Sequence, residues 1–441
     1  MSSLADRIRG IVAPRVAPSD VAQGLSPASD AGLKACATGE IGDIAALLGG
    51  SWREAGGGRC FVVDRRWEPT ATHGREPIGA IAERLARAAD KAPLFTAGAP
   101  ARPPFMFFDL ETTGLSGGAG TLAFLVGCGW FEADGAFVTR QFLLARHADE
   151  RMLLGAVAAE LARAGALVSF NGKSFDAPLL EGRYLFHRLP WRGRELPHLD
   201  VLHPARRFWK SSPNGLQALR PAQSEGCSLQ ALERQLLGLR RTGDVPGFEI
   251  PALYFRFVRG GDAAPLEGVL EHNRLDLLTL AALTARLLDL ARLGPETIAD
   301  PREALALGLV YARGGHEERA RAAYRRALDR CRSPRGTYDP LRIDALRALA
   351  LACRRARLHG DAADCWNELM TMRGCPAPIV REAAEALAIH HEHRVRDLAA
   401  AKAFALRNLE SGSEAGWKSA ARYRIARLER KIAGETRLPD L

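Results

Sequence analysis

The sequence predicts a mixed α/β sheet flanked by helices, followed by an all-helical repeat domain. An apolar run at 105–110 has the composition of a buried strand. Two further strand-like segments follow at 121–131 and 137–144, and strands and helices then alternate. From about residue 300 onward, the apolar spacing becomes helical throughout and repeats itself.

The first strand ends in two acidic residues. Phe105–Gly114 reads Phe-Met-Phe-Phe-Asp-Leu-Glu-Thr-Thr-Gly, with Asp109 and Glu111 at its carboxyl end. Residues i and i+2 of a strand point to the same face, so these two carboxylates project side by side. Adjacent carboxylates repel each other unless a cation lies between them. The alternative interpretation is a strand that ends in a solvated acidic turn.

The remaining segments of the α/β region alternate between the two periodicities. Strands are predicted at 166–170 and 196–202, and helices at 152–163, from about 174, at 228–237 and at 266–290. Three consecutive strands followed by this alternation are typical of a mixed sheet with helices on its faces.

The last third of the chain contains an internal repeat. Its three copies begin at Leu307-Gly308, Leu349-Ala350 and Leu387-Ala388, and aromatic or small residues recur behind each start. These spacings resemble a tetratricopeptide repeat, although the offsets of 42 and 38 residues exceed the usual length of about 34. A generic helical bundle is the alternative.

These patterns divide the chain into three parts. Residues 1–100, rich in Pro, Ser, Ala and Gly, are predicted to be a partly flexible N-terminal region. Residues 101–295 are predicted to form the α/β domain, and residues 300–441 the tetratricopeptide-like domain.

Composition indicates an ordinary globular protein of the cytosol. The formal net charge is +10, and residues 301–441 hold 27 Arg and Lys against 18 Asp and Glu, which weakly favours a polyanionic partner. The eight cysteines form no Cys-x-x-Cys pair, a distribution typical of a reducing compartment. No apolar run reaches the length of a membrane span.

Two more segments carry acidic residues where a site could form. Asp176 follows the strand at 166–170, and open sheets place their sites at the carboxyl ends of strands. On the last helix of the domain, His272 and Asp276 stand at i and i+4, on one face. A lone His–Asp pair is more often surface electrostatics than catalysis, so its meaning depends on the other carboxylates.

Taken together, these motifs resemble the DEDD-type 3′-to-5′ exonucleases of the ribonuclease H-like fold. The first motif is Asp109–Gly114, the second is Asn171-x3-Phe175-Asp176, and the third is His272-Asn-x-x-Asp276. The chain is most similar to the YprB-type ribonuclease H-like family, which shares the glycine-rich stretch after the first motif and the His-Asn-x-x-Asp ending. The resemblance covers roughly 105–292.

The resemblance implies a two-metal hydrolysis of phosphodiester bonds, with Mg²⁺ or Mn²⁺ as the two ions. By that resemblance, Asp109 bridges both ions, and Glu111 and Asp276 complete the site of the ion that activates water. Asp176 holds the second ion, and His272 orients or deprotonates the nucleophile. The implied partner is nucleic acid, most simply a single-stranded 3′ end.

The third motif departs from the familiar subtypes. They have Tyr-x3-Asp or His-x4-Asp, whereas this chain has a histidine at the tyrosine spacing. One residue on a helix rotates a side chain by about 100°, so whether His272 reaches the attacking water is left open. The alternatives are a nuclease-like protein that binds nucleic acid with weak or no cleavage, an endonuclease, and a scaffold whose repeats recruit a protein partner.

Three secondary features accompany these motifs. Basic and aromatic residues interleave at 183–194 and 206–210, a pattern that either grips single strands or belongs to ordinary helix faces. Asp200 is interpreted as a structural or outer-shell residue, and Asn171 as a turn cap rather than a substrate contact.

Overall fold

The computed structural model describes residues 44–55, 58–114, 120–210, 226–332, 334, 336–410 and 415–435. Within them, a seven-stranded sheet lies between two helical layers, and a run of paired helices follows. The ribonuclease H-like fold class and the all-helical region, both predicted from the sequence, are confirmed. No helix in these ranges combines the length and apolar character that a bilayer crossing requires.

The main sheet is built from both the amino-terminal segment and the α/β domain. Its strands are β1 (Ser51–Ala55), β2 (Gly58–Trp67), β5 (Phe105–Thr112), β6 (Ala123–Phe131), β7 (Phe137–Leu143), β8 (Ala166–Ser169) and β9 (His198–Asp200), and a separate hairpin comprises β3 (Thr72–His73) and β4 (Glu76–Pro77). Across the sheet the order is β1-β2-β7-β6-β5-β8-β9. In this order, the neighbouring strands β1, β2, β7, β6 and β5 pair antiparallel, whereas β5, β8 and β9 pair parallel.

Strand β5 separates two hydrophobic cores by simple alternation. Phe105 and Phe107 pack into one core, and Met106, Phe108 and Leu110 pack into the other. The apolar run is therefore buried on both faces, as a central strand requires.

Helices cover both faces. The α-helices of this part are α1 (Ile44–Leu48), α2 (Ile78–Ala88), α3 (Glu150–Leu161), α4 (Asp176–Phe186), α5 (Leu202–Phe208), α6 (Leu229–Leu232), α7 (Ile250–Gly260) and α8 (Leu266–Leu293). Short 3₁₀ turns occupy Ala89–Phe95, His147–Asp149, Arg192–Arg194 and Pro295–Thr297, and a π turn, Glu233–Leu237, extends α6. Helix α8 lies with α2 on the Phe107 face, against β5, β6 and β7, while α3, α4 and α7 supply the opposite core.

The helical region, residues 301–435, contains three helical hairpins and a final helix. Its helices are α9 (Pro301–Arg313), α10 (Glu317–Arg330), α11 (Pro340–Arg355), α12 (His359–Thr371), α13 (Ala377–His390), α14 (Leu398–Glu410) and α15 (Ala415–Glu435), with a π turn at His391–Val395. Asp300 and Asp339 cap α9 and α11, and each precedes a proline at the first helical position.

The helical region packs directly on the α/β domain. Trp209, buried at the end of α5, donates its indole N–H to Glu303 of α9 at 2.9 Å. Tyr311 donates to the carbonyl oxygen of Ala291 on α8 at 2.8 Å. The two parts share one continuous hydrophobic core, because buried residues of α8 and α9 belong to the same cluster.

From residue 51 onward, the amino-terminal segment contributes strands β1 and β2 to the sheet. Residues 61–67 of β2 pair with 137–143 of β7, and α2 packs against α8. The domain boundaries at residues 100 and 300 remain predictions.

Candidate active site

Asp109 and Glu111 lie at the carboxyl end of β5, on the face covered by α8. Their positions continue the alternation of Phe105 and Phe107. A register shift between Glu111 and Thr112 marks a β-bulge at the point where the strand leaves its antiparallel partner β6. Bulges of this kind occur next to active sites, where they re-aim side chains. The glycine-rich stretch that follows, residues 115–119, lies outside the described residues.

Asp176 opens α4 after a tight loop that Asp200 organises. The Asp200 carboxylate accepts N–H bonds from Asn171 at 2.8 Å and from Lys173 at 3.2 Å. Asn171 takes a left-handed conformation with φ of 73°, and a Cβ on Gly172 would lie only 2.9 Å from Asp176 Oδ2. The structural role expected for Asp200 therefore fits its contacts.

His272 and Asp276 stand on α8, one turn apart, and face each other. His272 Nε2 lies 3.7 Å from Asp276 Oδ2. On its other side, His272 Nδ1 lies 2.8 Å from Asp244 Oδ1. Because a carboxylate oxygen accepts, this contact places the ring hydrogen on Nδ1 and leaves Nε2 directed towards Asp276.

A buried arginine joins the same group. Arg241, whose side chain is 5% exposed, forms ion pairs with Glu233, Asp244 and Asp276. Both Arg241 and Asp244 lie between the π turn and α7, in a segment that sequence reasoning left unassigned. They belong to no motif at fixed spacing, so only the fold brings them to α8.

Three of the predicted carboxylates, Asp109, Glu111 and Asp176, have raised pKa values. Burial, followed by the charges of Asp276, Glu111 and Asp176, raises the pKa of Asp109 well above its ordinary value. Burial and the charges of Asp276 and Asp176 raise the pKa of Glu111 to about 8. Burial and the charge of Asp200 raise the pKa of Asp176 to about 7. Such shifts are expected where acids crowd together at low dielectric.

The chemistry of these donors fits a hard divalent cation, but their side-chain arrangement is not a finished coordination sphere. All four offer carboxylate oxygens, which Mg²⁺ and Mn²⁺ prefer. Among the described residues, no three His, Cys, Asp or Glu side chains are grouped so that they could hold a metal ion. In this arrangement, Asp276 is engaged by Arg241, and Asp109 accepts a hydrogen bond from Asn273.

A cavity of about 630 Å³ opens beside Glu111 and Asp176. Its other lining residues are Leu110, Thr112, Gly114, Thr121, Asn171, Ser174, Phe175, Pro178, Leu179, Gly247 and Pro251. The wall is therefore partly apolar, with hydroxyl and amide groups close to the two acids.

The interleaved basic and aromatic stretches combine buried side chains with basic side chains that are mostly exposed. Phe208 and Trp209 are 1% and 4% exposed, so neither offers a face to a base. Arg183 is buried and bonds both carboxylate oxygens of Glu150 at 2.6 Å. The sequence pattern could not separate this arrangement from a binding surface, because helix packing and single-strand binding use the same residue types.

Comparison with known proteins agrees with the fold and with the motifs. Residues 106–288 match the ribonuclease H (RNase_H) superfamily, which defines the class of the domain. The chain is also 30% identical over 333 residues to the uncharacterized protein YprB of Bacillus subtilis (strain 168), a match that spans 74% of this chain and 75% of YprB. The chain therefore belongs to the YprB family, and its resemblance to ribonuclease H-like proteins is confirmed. Membership of the superfamily suggests a nuclease that acts on nucleic acid and uses divalent metal ions.

Proposed function

We propose that this protein is a metal-dependent 3′-to-5′ exonuclease that acts on single-stranded ends of DNA or RNA. The proposal is supported chiefly by Asp109, Glu111, Asp176 and Asp276, which come from three separate segments. The charges of the other three raise the pKa of Asp109, and Glu111 and Asp176 line a cavity. Acids that raise one another's pKa in a cleft are typical of functional sites.

The carboxylates are proposed to hold two ions, either Mg²⁺ or Mn²⁺. Asp109 would contact both ions, Glu111 and Asp276 would complete one site, and Asp176 would contribute to the other. Bound there, a pair of such ions would supply a hydroxide nucleophile and offset the charge on the leaving oxygen. The chain's own part is to keep four acids close together despite their repulsion.

His272 is proposed to orient or deprotonate the attacking water. Its Nδ1 is held by Asp244, so Nε2, which faces Asp276, is the nitrogen that can accept a proton. The carboxylate partner also restricts rotation of the ring. This support suits a histidine at the spacing that tyrosine occupies in related motifs.

The cavity suggests how a nucleic-acid end is received. Phe175 and Phe248 are 60% and 80% exposed, and the cavity is lined by Phe175 and by Gly247, the neighbour of Phe248. Exposed aromatic rings can stack on unpaired bases with little sequence preference. Single-stranded ends are therefore the proposed substrate, with DNA and RNA both open.

The helical region is proposed to be a tetratricopeptide-like array that recruits a protein or extends the nucleic-acid track. Gly308 supports this interpretation, because a Cβ there would lie 2.3 Å from the Tyr324 ring on the paired helix. Small residues that admit a neighbouring helix are typical of stacked helical repeats. A cytosolic location is proposed from the scattered cysteines, which are free in the described part of the chain.

A second candidate function is nucleic-acid binding without efficient cleavage. The Arg241–Asp276 ion pair favours it, because a guanidinium already neutralises one proposed metal ligand. Metal titration of Arg241→Gln separates the two. If Arg241 merely orients Asp276, the variant binds Mn²⁺ more weakly, whereas a blocking arginine predicts tighter binding.

The test of the main proposal is cleavage of end-labelled single-stranded DNA and RNA with Mn²⁺. We expect stepwise shortening from the 3′ end by the wild type and none by Asp109→Ala. Asp276→Asn should also abolish cleavage. Asp289→Asn is a matched control, because Asp289 lies on the same helix and its side chain is 18% exposed, against 17% for Asp276. No product from either substrate, or equal cleavage by Asp109→Ala, would contradict the proposal.

A further inference from the structure

Two buried side-chain amides link strand β7 to Asp109 on strand β5. Gln141 of β7 and Asn273 of α8 are both 0% exposed. Gln141 Nε2 donates to Asn273 Oδ1 at 2.9 Å, and Asn273 Nδ2 donates to Asp109 Oδ2 at 2.9 Å. The same Nδ2 lies 3.4 Å from the backbone oxygen of Asp109.

The orientation of both amides is fixed by a fourth contact. Gln141 Nε2 also donates to the carbonyl oxygen of Leu270 at 2.8 Å, so its NH₂ group must face α8. Asn273 then receives a donor at Oδ1 and can present only its own NH₂ group to Asp109. The two hydrogen bonds therefore run in the same direction, from Gln141 on β7 to Asn273 and from Asn273 to the carboxylate of Asp109.

The sheet is shaped to admit this contact. At Gly127 of β6, an added Cβ would lie 2.1 Å from Asn273 Oδ1 and 2.9 Å from Leu277 Cδ1. A side chain at this position would require the side chains of Asn273 and Leu277 to move. Glycine thus allows the amide to reach the strand beside Asp109.

Stability alone does not explain the arrangement. Gln141 Oε1 is buried without a hydrogen-bond partner among the described residues. An unpaired buried polar atom lowers stability, and an apolar side chain of similar size would avoid that cost. The polar pair lies at the point where Asn273 contacts Asp109, the proposed metal-bridging acid.

We propose that Asn273, locked by Gln141, is a positioning residue that holds Asp109 Oδ2 and thereby fixes the orientation of the carboxylate that is proposed to bind metal. This inference rests on the proposed metal-dependent function. The amide N–H also offsets part of the repulsion that the other carboxylates exert on Asp109. Outer partners of this type fix the orientation of a ligand before the ion arrives.

The test is the affinity of the full-length protein for Mn²⁺. It is measured by titration calorimetry and by the electron paramagnetic resonance signal of free Mn²⁺. Asn273→Ala is expected to weaken binding about 10- to 100-fold. Gln141→Leu, which leaves Asn273 in place but unlocked, is expected to weaken binding less. Thr284→Val is the control, because Thr284 is a buried polar residue of α8 whose side chain, among the described residues, bonds only its own helix, at Leu280 O.

A double variant distinguishes positioning from general loosening. If Asn273 acts through Asp109, adding Asn273→Ala to Asp109→Asn changes Mn²⁺ affinity by less than about twofold. Should Asn273→Ala fail to fold, as judged by circular dichroism, Gln141→Leu takes its place in the same cycle. Wild-type affinity in Asn273→Ala and Gln141→Leu, or an undiminished effect in the Asp109→Asn background, would overturn the inference.

Failure of the proposed function gives a different result. A wild type that binds Mn²⁺ but cuts no substrate refutes the exonuclease proposal, and the binding data still decide the role of Asn273. A wild type that binds no Mn²⁺ refutes both.

Discussion

Two regions of this protein bury acidic side chains, and their surroundings shift the pKa values of these acids in opposite directions. In the α/β domain, Asp109, Glu111 and Asp176 face other acids, and their pKa values are raised. In the helical region, the fully buried carboxylate of Glu392 accepts hydrogen bonds from Lys431 at 2.8 Å and Arg427 at 2.6 Å. Burial by itself would raise the pKa of Glu392, but these cations outweigh it and lower the pKa.

The contrast separates a structural centre from a candidate functional one. Glu392 joins the π turn after α13 to α15, and its charge is neutralised within the fold. In the candidate site, Asp109 receives one hydrogen bond from the uncharged amide of Asn273, and Arg241 pairs with Asp276 on α8. A fold that leaves acids in mutual repulsion sacrifices stability there, which is characteristic of sites that await a cation.

The largest expected effect is a loss of stability in the metal-free protein as pH rises. Glu111 and Asp176 have folded pKa values of about 8 and 7, whereas the unfolded values are about 4. Their stabilising contribution is therefore present below pH 4 and is lost as pH rises through 7 and 8, on the order of a few kcal/mol in total. Thermal unfolding in EDTA from pH 5 to 8.5 measures it, and Mn²⁺ at pH 8.5 should restore most of the loss.

The control for this effect is a variant that removes one of the crowded charges. Asp109→Asn should unfold at a higher temperature than the wild type at pH 8.5 without metal, whereas Asp289→Asn should not. A wild type whose metal-free stability rises between pH 5 and pH 8.5 would contradict this account of the site.

Glu392→Gln is expected to have the next largest effect, about 1–3 kcal/mol of destabilisation. The variant leaves three cations around an uncharged side chain, but each keeps some solvent access, so the cost is below that of a fully buried pair. Chemical denaturation measures the change, and cleavage should be unaffected. Glu382→Gln, which breaks an exposed pair with Arg347, should cost less than about 1 kcal/mol. If Glu392→Gln and Glu382→Gln destabilised the protein equally, Glu392 would not be a structural centre of the kind described above.

Gly308→Ala gives the smallest effect, about 1–2 kcal/mol, through packing alone. The added methyl group meets the Tyr324 ring, so α9 and α10 must move apart. Gly360→Ala in α12, where an added Cβ meets nothing within 4 Å, should not destabilise the protein. Thermal unfolding compares the two variants, and unchanged stability in Gly308→Ala would argue against close packing in this hairpin.

Much of the fold was predictable because its signals are local. The apolar run before Asp109 indicated a buried strand, and the structure gives Phe105–Thr112. The helix predicted at 266–290 extends over Leu266–Leu293, with His272 and Asp276 on one face. The basic and aromatic stretches were ambiguous, because exposure of Trp209 depends on where α9 packs.

The sequence by itself determined the strand that carries Asp109 and Glu111, the helix that carries His272 and Asp276, and the change to paired helices after residue 300. Hydrophobic periodicity and motif spacing depend on residues that are close in sequence, so they can be recognised without knowledge of the fold. Only the tertiary structure decided that Asp244 meets His272, that Arg241 meets Asp276, that Gln141 meets Asn273 and that Asn273 meets Asp109. These contacts join residues from 28 to 164 positions apart, and their partners are selected by packing rather than by any local pattern.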